Sequence, residues 1–226
     1  MTWHELSPLS TDVAAQLPDL PQIALVAGRI GDYADALAAE ERPALGRAVA
    51  KRIHEFSTGR YLARCAMTDL GAAPCAVPRA EDRSPVWPAD LVGSITHAGD
   101  VAVAGVAEAR SLLGLGIDLE DAGRVVENLF PKLFTAAELA GFAAADARLP
   151  GLLFSAKEAT YKAVHPSVGK FIGFKEVEVT VNWPERTFRL RYVGTHAPNA
   201  VMEAGTGHFC FFERYVLTVF MIPRGR

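Results

Sequence analysis

From Leu115 to Glu120 the chain alternates strictly. Leu115, Ile117 and Leu119 stand on one side, Gly116, Asp118 and Glu120 on the other, and this period of two predicts a strand with one apolar face. Similar β-rich or alternating runs predict strands at 23–26, 92–95, 101–107, 176–183, 188–193, 208–212 and 215–222. Turns are expected at 183–186 and 213–214. Between Ala44 and Leu70 the apolar residues Leu45, Val49, Ile53, Phe56, Leu62, Ala66 and Leu70 recur at roughly helical intervals, so 36–70 reads as a helical region broken at Pro43. Two more helices are expected, 135–147 and 151–164, separated by Leu149-Pro150-Gly151. Thr135 followed by Glu138 is a capping-box signature for the first of them. Helices and mostly antiparallel strands occur in both halves, which gives an α+β class.

Half of the 226 residues are hydrophobic, enough to bury one or two substantial cores. No apolar run reaches the ~18 residues of a membrane span, and Met1-Thr2-Trp3-His4-Glu5 lacks a basic region followed by an apolar core. No membrane partner and a cytoplasmic location are therefore expected. The net charge of −3 gives no reason to expect nucleic acid. Cys65, Cys75 and Cys210 have no metal-site spacing and an odd count, so they are expected to be reduced and structural.

Chemistry concentrates in three segments. Asp118 and Glu120 project from the same side of their strand. Two such carboxylates resist ionising together unless a cation such as Mg²⁺ lies between them; otherwise the face is simply solvated. In Phe154-Ser155-Ala156-Lys157-Glu158-Ala159-Thr160-Tyr161-Lys162, Glu158 and Lys162 lie one helical turn apart. Taken alone they read as an exposed ion pair. The stretch Val92-Gly93-Ser94-Ile95-Thr96-His97-Ala98-Gly99 reads as a small-residue turn whose hydroxyls, N–H groups and imidazole can donate to phosphate.

The order of four motifs carries a resemblance: Arg83-Ser-Pro-Val-Trp-Pro88, Gly93-Ser-Ile-Thr-His97, Gly116-Ile-Asp-Leu-Glu120 and Phe154 to Lys162. Over about residues 45–175 this resembles the 4′-phosphopantetheinyl transferases, and within them the long single-chain class that activates surfactin and enterobactin synthetases. It is most similar to the enterobactin-synthetase component D subgroup. The resemblance implies transfer of the phosphopantetheine arm of coenzyme A to a serine of an acyl or peptidyl carrier protein, releasing 3′,5′-ADP. It implies Mg²⁺ on Asp118, Glu120 and Glu158, with Glu158 or a metal-bound water as base, and Asp118, Glu158 and Lys162 as the catalytic set. Lys157 and Lys162 would contact phosphate oxygens, and Ser94, Thr96 and His97 would contact coenzyme A. Arg52 and Arg60 would hold its 3′-phosphate, and Arg83 would stand near the adenine. Phe154 replaces a Trp and Thr96 a Ser of many relatives, changes that keep shape or hydroxyl.

The family fold has two similar α/β halves about a pseudo-twofold axis, with the active site between them. Here that implies an N-terminal half, 1–110, on the coenzyme A 3′-phosphate and adenine side, and a C-terminal half, 111–226, with the metal and catalytic motifs. The acceptor is expected to be acidic and met by a local basic surface, with Lys170 and Lys175 as candidates; its pathway, whether siderophore, nonribosomal peptide or polyketide, is left open. The chain is expected to be a monomer by analogy. One alternative is a coenzyme A or carrier-protein binding module without turnover, disfavoured by the complete acidic set. Another is a magnesium nucleotide-hydrolase, for which the Gly-rich loop ending in Gly-Lys-Ser or Gly-Lys-Thr is lacking.

Overall fold

A computed structural model describes Val13, Leu17, Leu20 and residues 23–142, 145–169, 172–195 and 199–225. In chain order the strands are β1 (Ile23–Arg29), β2 (Leu91–Ala98), β3 (Val101–Glu108), β4 (Leu112–Asp121), β5 (Val177–Asn182), β6 (Thr187–Tyr192), β7 (Thr206–Phe212) and β8 (Tyr215–Pro223). The helices are α1 (Ala50–Asp69), α2 (Ala136–Gly141), α3 (Leu149–Val168) and α4 (Asn199–Glu203), with a single helical turn at Phe130–Leu133. All strand pairs are antiparallel, in a three-stranded sheet ordered β1-β3-β2 and a five-stranded sheet ordered β4-β8-β7-β6-β5. The expected α+β class holds.

The two halves share a plan. A strand (β1 or β4) is followed by a 20-residue helix (α1 or α3) and then by a hairpin (β2-β3 or β7-β8), whose second strand pairs with the first strand of that half. Alternation on each strand sorts side chains into layers. Helix α1 packs through Leu62, Ala63, Ala66 and Met67 on Ala24, Val26, Ala102 and Ala104. The opposite faces of the sheets meet through Leu25, Ala27, Val103, Leu115, Ile117, Leu119, Leu217 and Val219. Helix α3 covers the outer face of the larger sheet through Leu152, Ala156, Ala159 and Ala163, in one core with Phe220 of β8. Because Leu115, Ile117 and Leu119 face inward, Gly116, Asp118 and Glu120 are turned toward α3.

Three expectations need correction. The region 36–70 is helical only from Ala50. Before it stand two 3₁₀ turns, Ala34–Ala36 and Arg42–Ala44, and Gly46 at φ 48° breaks any continuity. Helix α2 keeps its capping box but ends at Gly141, where Phe142 turns in to meet Phe130 and Phe134 edge-on at 5.2 and 4.9 Å. The third concerns 93–98, which forms most of strand β2; the turn is confined to Gly99-Asp100. Helix α3 also runs four residues past the expected end, through Pro166, and stops at Gly169 in the left-handed region.

Candidate functional site

Strands β2 and β4 are facing edges of different sheets, and side chains close the gap. The Ile117 N–H donates to Ser94 Oγ at 3.0 Å and the Leu119 N–H to Thr96 Oγ1 at 3.1 Å; Thr96 Oγ1 in turn donates to Asp118 Oδ1 at 3.4 Å. Ser94 and Thr96 are only 4% and 5% exposed. Their hydroxyls therefore stitch the two halves together, and Ser94 also lines the cleft between them. Thr96→Val keeps the shape but leaves a buried N–H without an acceptor. It should cost roughly 1–3 kcal/mol, read in urea denaturation, with little change in substrate KM.

Asp118 is fixed from three sides. Lys162 Nζ donates to its Oδ1 at 2.6 Å and to Ile117 O at 3.1 Å. Behind it, Ser155 and Thr218 share a hydroxyl hydrogen bond of 2.8 Å in which one donates to the other, leaving the remaining hydroxyl proton for Asp118 O, which lies 3.3 Å from Ser155 Oγ and 3.5 Å from Thr218 Oγ1. Gly116 permits this proximity: a Cβ there would lie 1.8 Å from Ala159 O and 2.7 Å from Ala163 N, so α3 rests directly on the β4 backbone. One turn before Lys162, Glu158 is half-buried. Desolvation raises its pKa; Lys162 opposes that shift, while Asp118 and Glu120 add to it. The pKa of Glu120 is raised too, by burial and then by Asp118, against the Asp121 N–H that bonds its Oε1 at 3.0 Å.

Asp118, Glu120 and Glu158 are oxygen donors of the kind a hard divalent cation takes. Among the described residues no three acidic, His or Cys groups stand close enough to hold one, and Lys162 neutralises Asp118 in the arrangement seen.

His97 projects from the opposite face of β2 toward α1. Its Nε2 lies 3.5 Å from Arg52 Nη1 and 3.8 Å from Glu55 Oε2. Burial lowers its pKa; Glu55 opposes this, and Arg52, Lys162 and Lys51 add to the lowering. Arg52 is half exposed. Arg60 is buried, its Nε donating to Val77 O at 2.9 Å and its guanidinium 4.1 Å over Phe56, and desolvation lowers it to about 10. Arg52 is thus the more accessible of that pair. Arg83 sits at φ 73° in a tight turn, strained for a residue with a side chain. It lines a cleft of about 740 Å³ between the halves, with Trp87, Gly93, Leu115, Tyr161, Lys162 and His165.

Lys157 lies elsewhere. Its Nζ is buried and donates to Leu133 O, Glu138 Oε2 and Phe174 O at 3.0, 2.7 and 2.8 Å, which corrects the expected phosphate contact. Lys175 is exposed, and Lys170 lies outside the described residues. The sequence reading missed Val126 and Leu129, 53% and 40% exposed just after β4. Their only signal is apolar character in a segment without periodicity, beside Arg124 and Lys132.

Lys162 lines the cleft and bonds Asp118, while Glu158 and His97 stand near it; carboxylates, a lysine and a histidine so grouped suit a group-transfer enzyme that handles phosphate. Residues 40–107 match the 4′-phosphopantetheinyl transferase N-terminal domain, and residues 114–220 match the 4′-phosphopantetheinyl transferase superfamily. The chain is 38% identical over 165 residues to the 4′-phosphopantetheinyl transferase Svp of Streptomyces mobaraensis, spanning 71% of this chain and 67% of that one. With PptT of Mycobacterium tuberculosis it shares 33% over 157 residues, 68% of this chain and 69% of the relative. With enterobactin synthase component D of Escherichia coli K12 it shares 34% over 174 residues, 75% and 77% of the two chains. The chain belongs to the 4′-phosphopantetheinyl transferase family and is an enzyme.

Proposed function

We propose that this enzyme takes 4′-phosphopantetheine from coenzyme A, with Mg²⁺, and places it on the serine of an acidic acyl or peptidyl carrier protein in the cytoplasm, acting as a monomer. The observation that supports this most is the meeting of Asp118, Glu158 and Lys162 beside the cleft, with His97 and Arg52 from the other half close by.

The reaction is attack of an alcohol on the pyrophosphate phosphorus of coenzyme A, so positioning and charge neutralisation carry most of the rate. Asp118, Glu120 and Glu158 stand too far apart to share a cation in the arrangement seen; with Lys162 moved off Asp118 and the three drawn together they would hold Mg²⁺, which when bound supplies positive charge against the developing phosphate negative charge. Arg52 and His97 bind the nucleotide end from the first half, and Arg83 stands at the far side of the cleft. Lys162 acts as a point charge able to pass from Asp118 to a phosphate oxygen. Glu158 takes the serine proton; its raised pKa favours that transfer. Val126 and Leu129, flanked by Arg124 and Lys132, offer an apolar face with a basic rim to an acidic acceptor. The likeness to enterobactin synthase component D supports a siderophore synthetase as acceptor.

Intact mass of an apo carrier protein after incubation with enzyme, coenzyme A and Mg²⁺ tests this reading. A gain of one phosphopantetheine group that EDTA prevents is expected, and no gain with carriers of several classes would refute it. His97 is neutral at pH 7 because burial lowers its pKa, and a bound phosphate would draw a proton onto it. His97→Ala should therefore raise the KM for coenzyme A about tenfold, the value of one charge-assisted hydrogen bond, with a smaller effect on the carrier KM. The gap between wild type and variant should widen as pH falls through the His97 pKa. A gap that stays flat with pH would remove His97 from the phosphate site.

A further inference from the structure

We propose that Lys157, the residue immediately before the catalytic glutamate, is a buried positioning residue that fixes the walls around Glu158 and never touches substrate phosphate. An ammonium has three protons to donate. In this protein each has a partner from a different segment: Leu133 O ahead of α2, Glu138 Oε2 on α2, and Phe174 O ahead of β5. The side chains of Lys157 and Glu138 are 2% and 5% exposed. Glu138 is equally committed, accepting from the Thr135 N–H at 2.9 Å and from the Val179 N–H at 3.0 Å. One ion pair thus ties α3 to the segment before α2, to α2 itself and to the edge of β5.

The ammonium is kept apart from the acidic cluster: its carboxylate partner is Glu138, at 2.7 Å. Helical geometry gives the reason. Lys157 falls on the buried stripe of Leu153, Thr160 and Val164, whereas Glu158 and Lys162 share the neighbouring face. What the clamp holds is functional: Glu158, Tyr161, Ile172, Phe174 and Met202 bound a cavity of about 150 Å³ to which Lys157 itself contributes. One of the three acceptors of Lys157, the carbonyl of Phe174, belongs to a residue of this wall. Losing the ammonium would let Phe174 and its neighbours drift from Glu158 without removing any phosphate donor.

Two measurements test this. Acetylation with an N-hydroxysuccinimide ester, read by mass spectrometry on the wild-type protein, should leave Lys157 unmodified while the exposed Lys51 and Lys175 are consumed, and coenzyme A should not change that. A Lys157 that is labelled in the free protein and protected by coenzyme A would overturn the proposal. Glu138→Gln with Lys157→Met removes both charges together, so no lone buried charge remains. The double variant should bind coenzyme A within about twofold of wild type while kcat falls about tenfold or more, since a displacement of ~1 Å at a reacting centre costs up to ~100-fold. A control of similar Tm loss in the core beneath α1, Met67→Ala, should keep its kcat. A tenfold or greater loss of coenzyme A affinity in a double variant with a native circular dichroism spectrum would show Lys157 to be a phosphate ligand. So placed, Lys157 deepens the coenzyme A reading and rests on it for the affinity measurement. Wild type that binds no coenzyme A would sink that donor, while labelling of the free protein would still judge the clamp.

Discussion

Glu158→Gln should abolish transfer and at the same time make the ligand-free protein more stable at neutral pH. The loss of turnover follows from proton transfer: a positioned base contributes about 10²–10⁴-fold, and Gln accepts no proton from the serine. Asp118→Ala should fail equally, because it removes the anion that fixes Lys162. The gain in stability follows from linkage. The folded-state pKa of Glu158 lies above its ordinary value of 4.5, so the folded protein binds this proton more tightly than the unfolded chain does. The ionised carboxylate is therefore a destabilising element. Its cost is absent below pH 4.5, grows as pH rises past that value, and is complete above the raised folded pKa. At pH 7 the variant should melt higher than wild type in EDTA. Mg²⁺ should raise the wild-type Tm and narrow the gap, since a cation among three carboxylates relieves the same repulsion. A variant that melts below wild type in EDTA would contradict the environment assigned to Glu158, and one that still modifies carrier protein at the wild-type rate would remove it from the reaction.

Gly116→Ala should be among the most damaging single substitutions outside the charged residues. The new methyl group would stand 1.8 Å from Ala159 O and 2.7 Å from Ala163 N, and both are backbone atoms of α3, so no side chain can swing aside. The helix must move away from β4. Overpacking costs about 1–3 kcal/mol, and more where the backbone must yield. A chain of this length loses ~2–4 °C of Tm per kcal/mol, so a fall of roughly 6–12 °C is expected at the upper end of that cost. Activity should fall further than stability accounts for, because Asp118 is on the strand and Glu158 and Lys162 are on the displaced helix. The measurement is kcat well below the Tm of the variant, where the protein is folded. Wild-type kcat there would mean that the site does not depend on this contact.

Much of this arrangement was legible because alternation is a local property. Leu115, Ile117 and Leu119 face the core, and Asp118 and Glu120 face the helix, as a period of two requires. The capping box at Thr135 and Glu138 was legible too, although the far end of that helix was not, since three phenylalanines packing together decide where it stops. Ser94 and Thr96 look like turn residues beside glycines. Only the arrival of β4, some 23 residues later in sequence, gives their hydroxyls a task. Lys157 was misread through its neighbour. The motif groups it with Glu158, while the helix separates them by 100°, and the spacing to Leu153, Thr160 and Val164 was a signal present in the sequence. Glu41, buried completely, accepts from the nearby Ala38 N–H, but its burial had no local signal, because Arg64 and the Val77 N–H, which also bond it, come from distant segments.

The two hydroxyls on β2 have a consequence for how the chain can be divided. They are the cover on the open edge of β4, which pairs on its other side with β8. A fragment beginning near residue 111 would keep its five-stranded sheet but expose a row of unpaired N–H and C=O groups along β4, a template on which further strands can add. Fusion of the halves in one polypeptide thus protects against self-association, quite apart from forming the cleft between them.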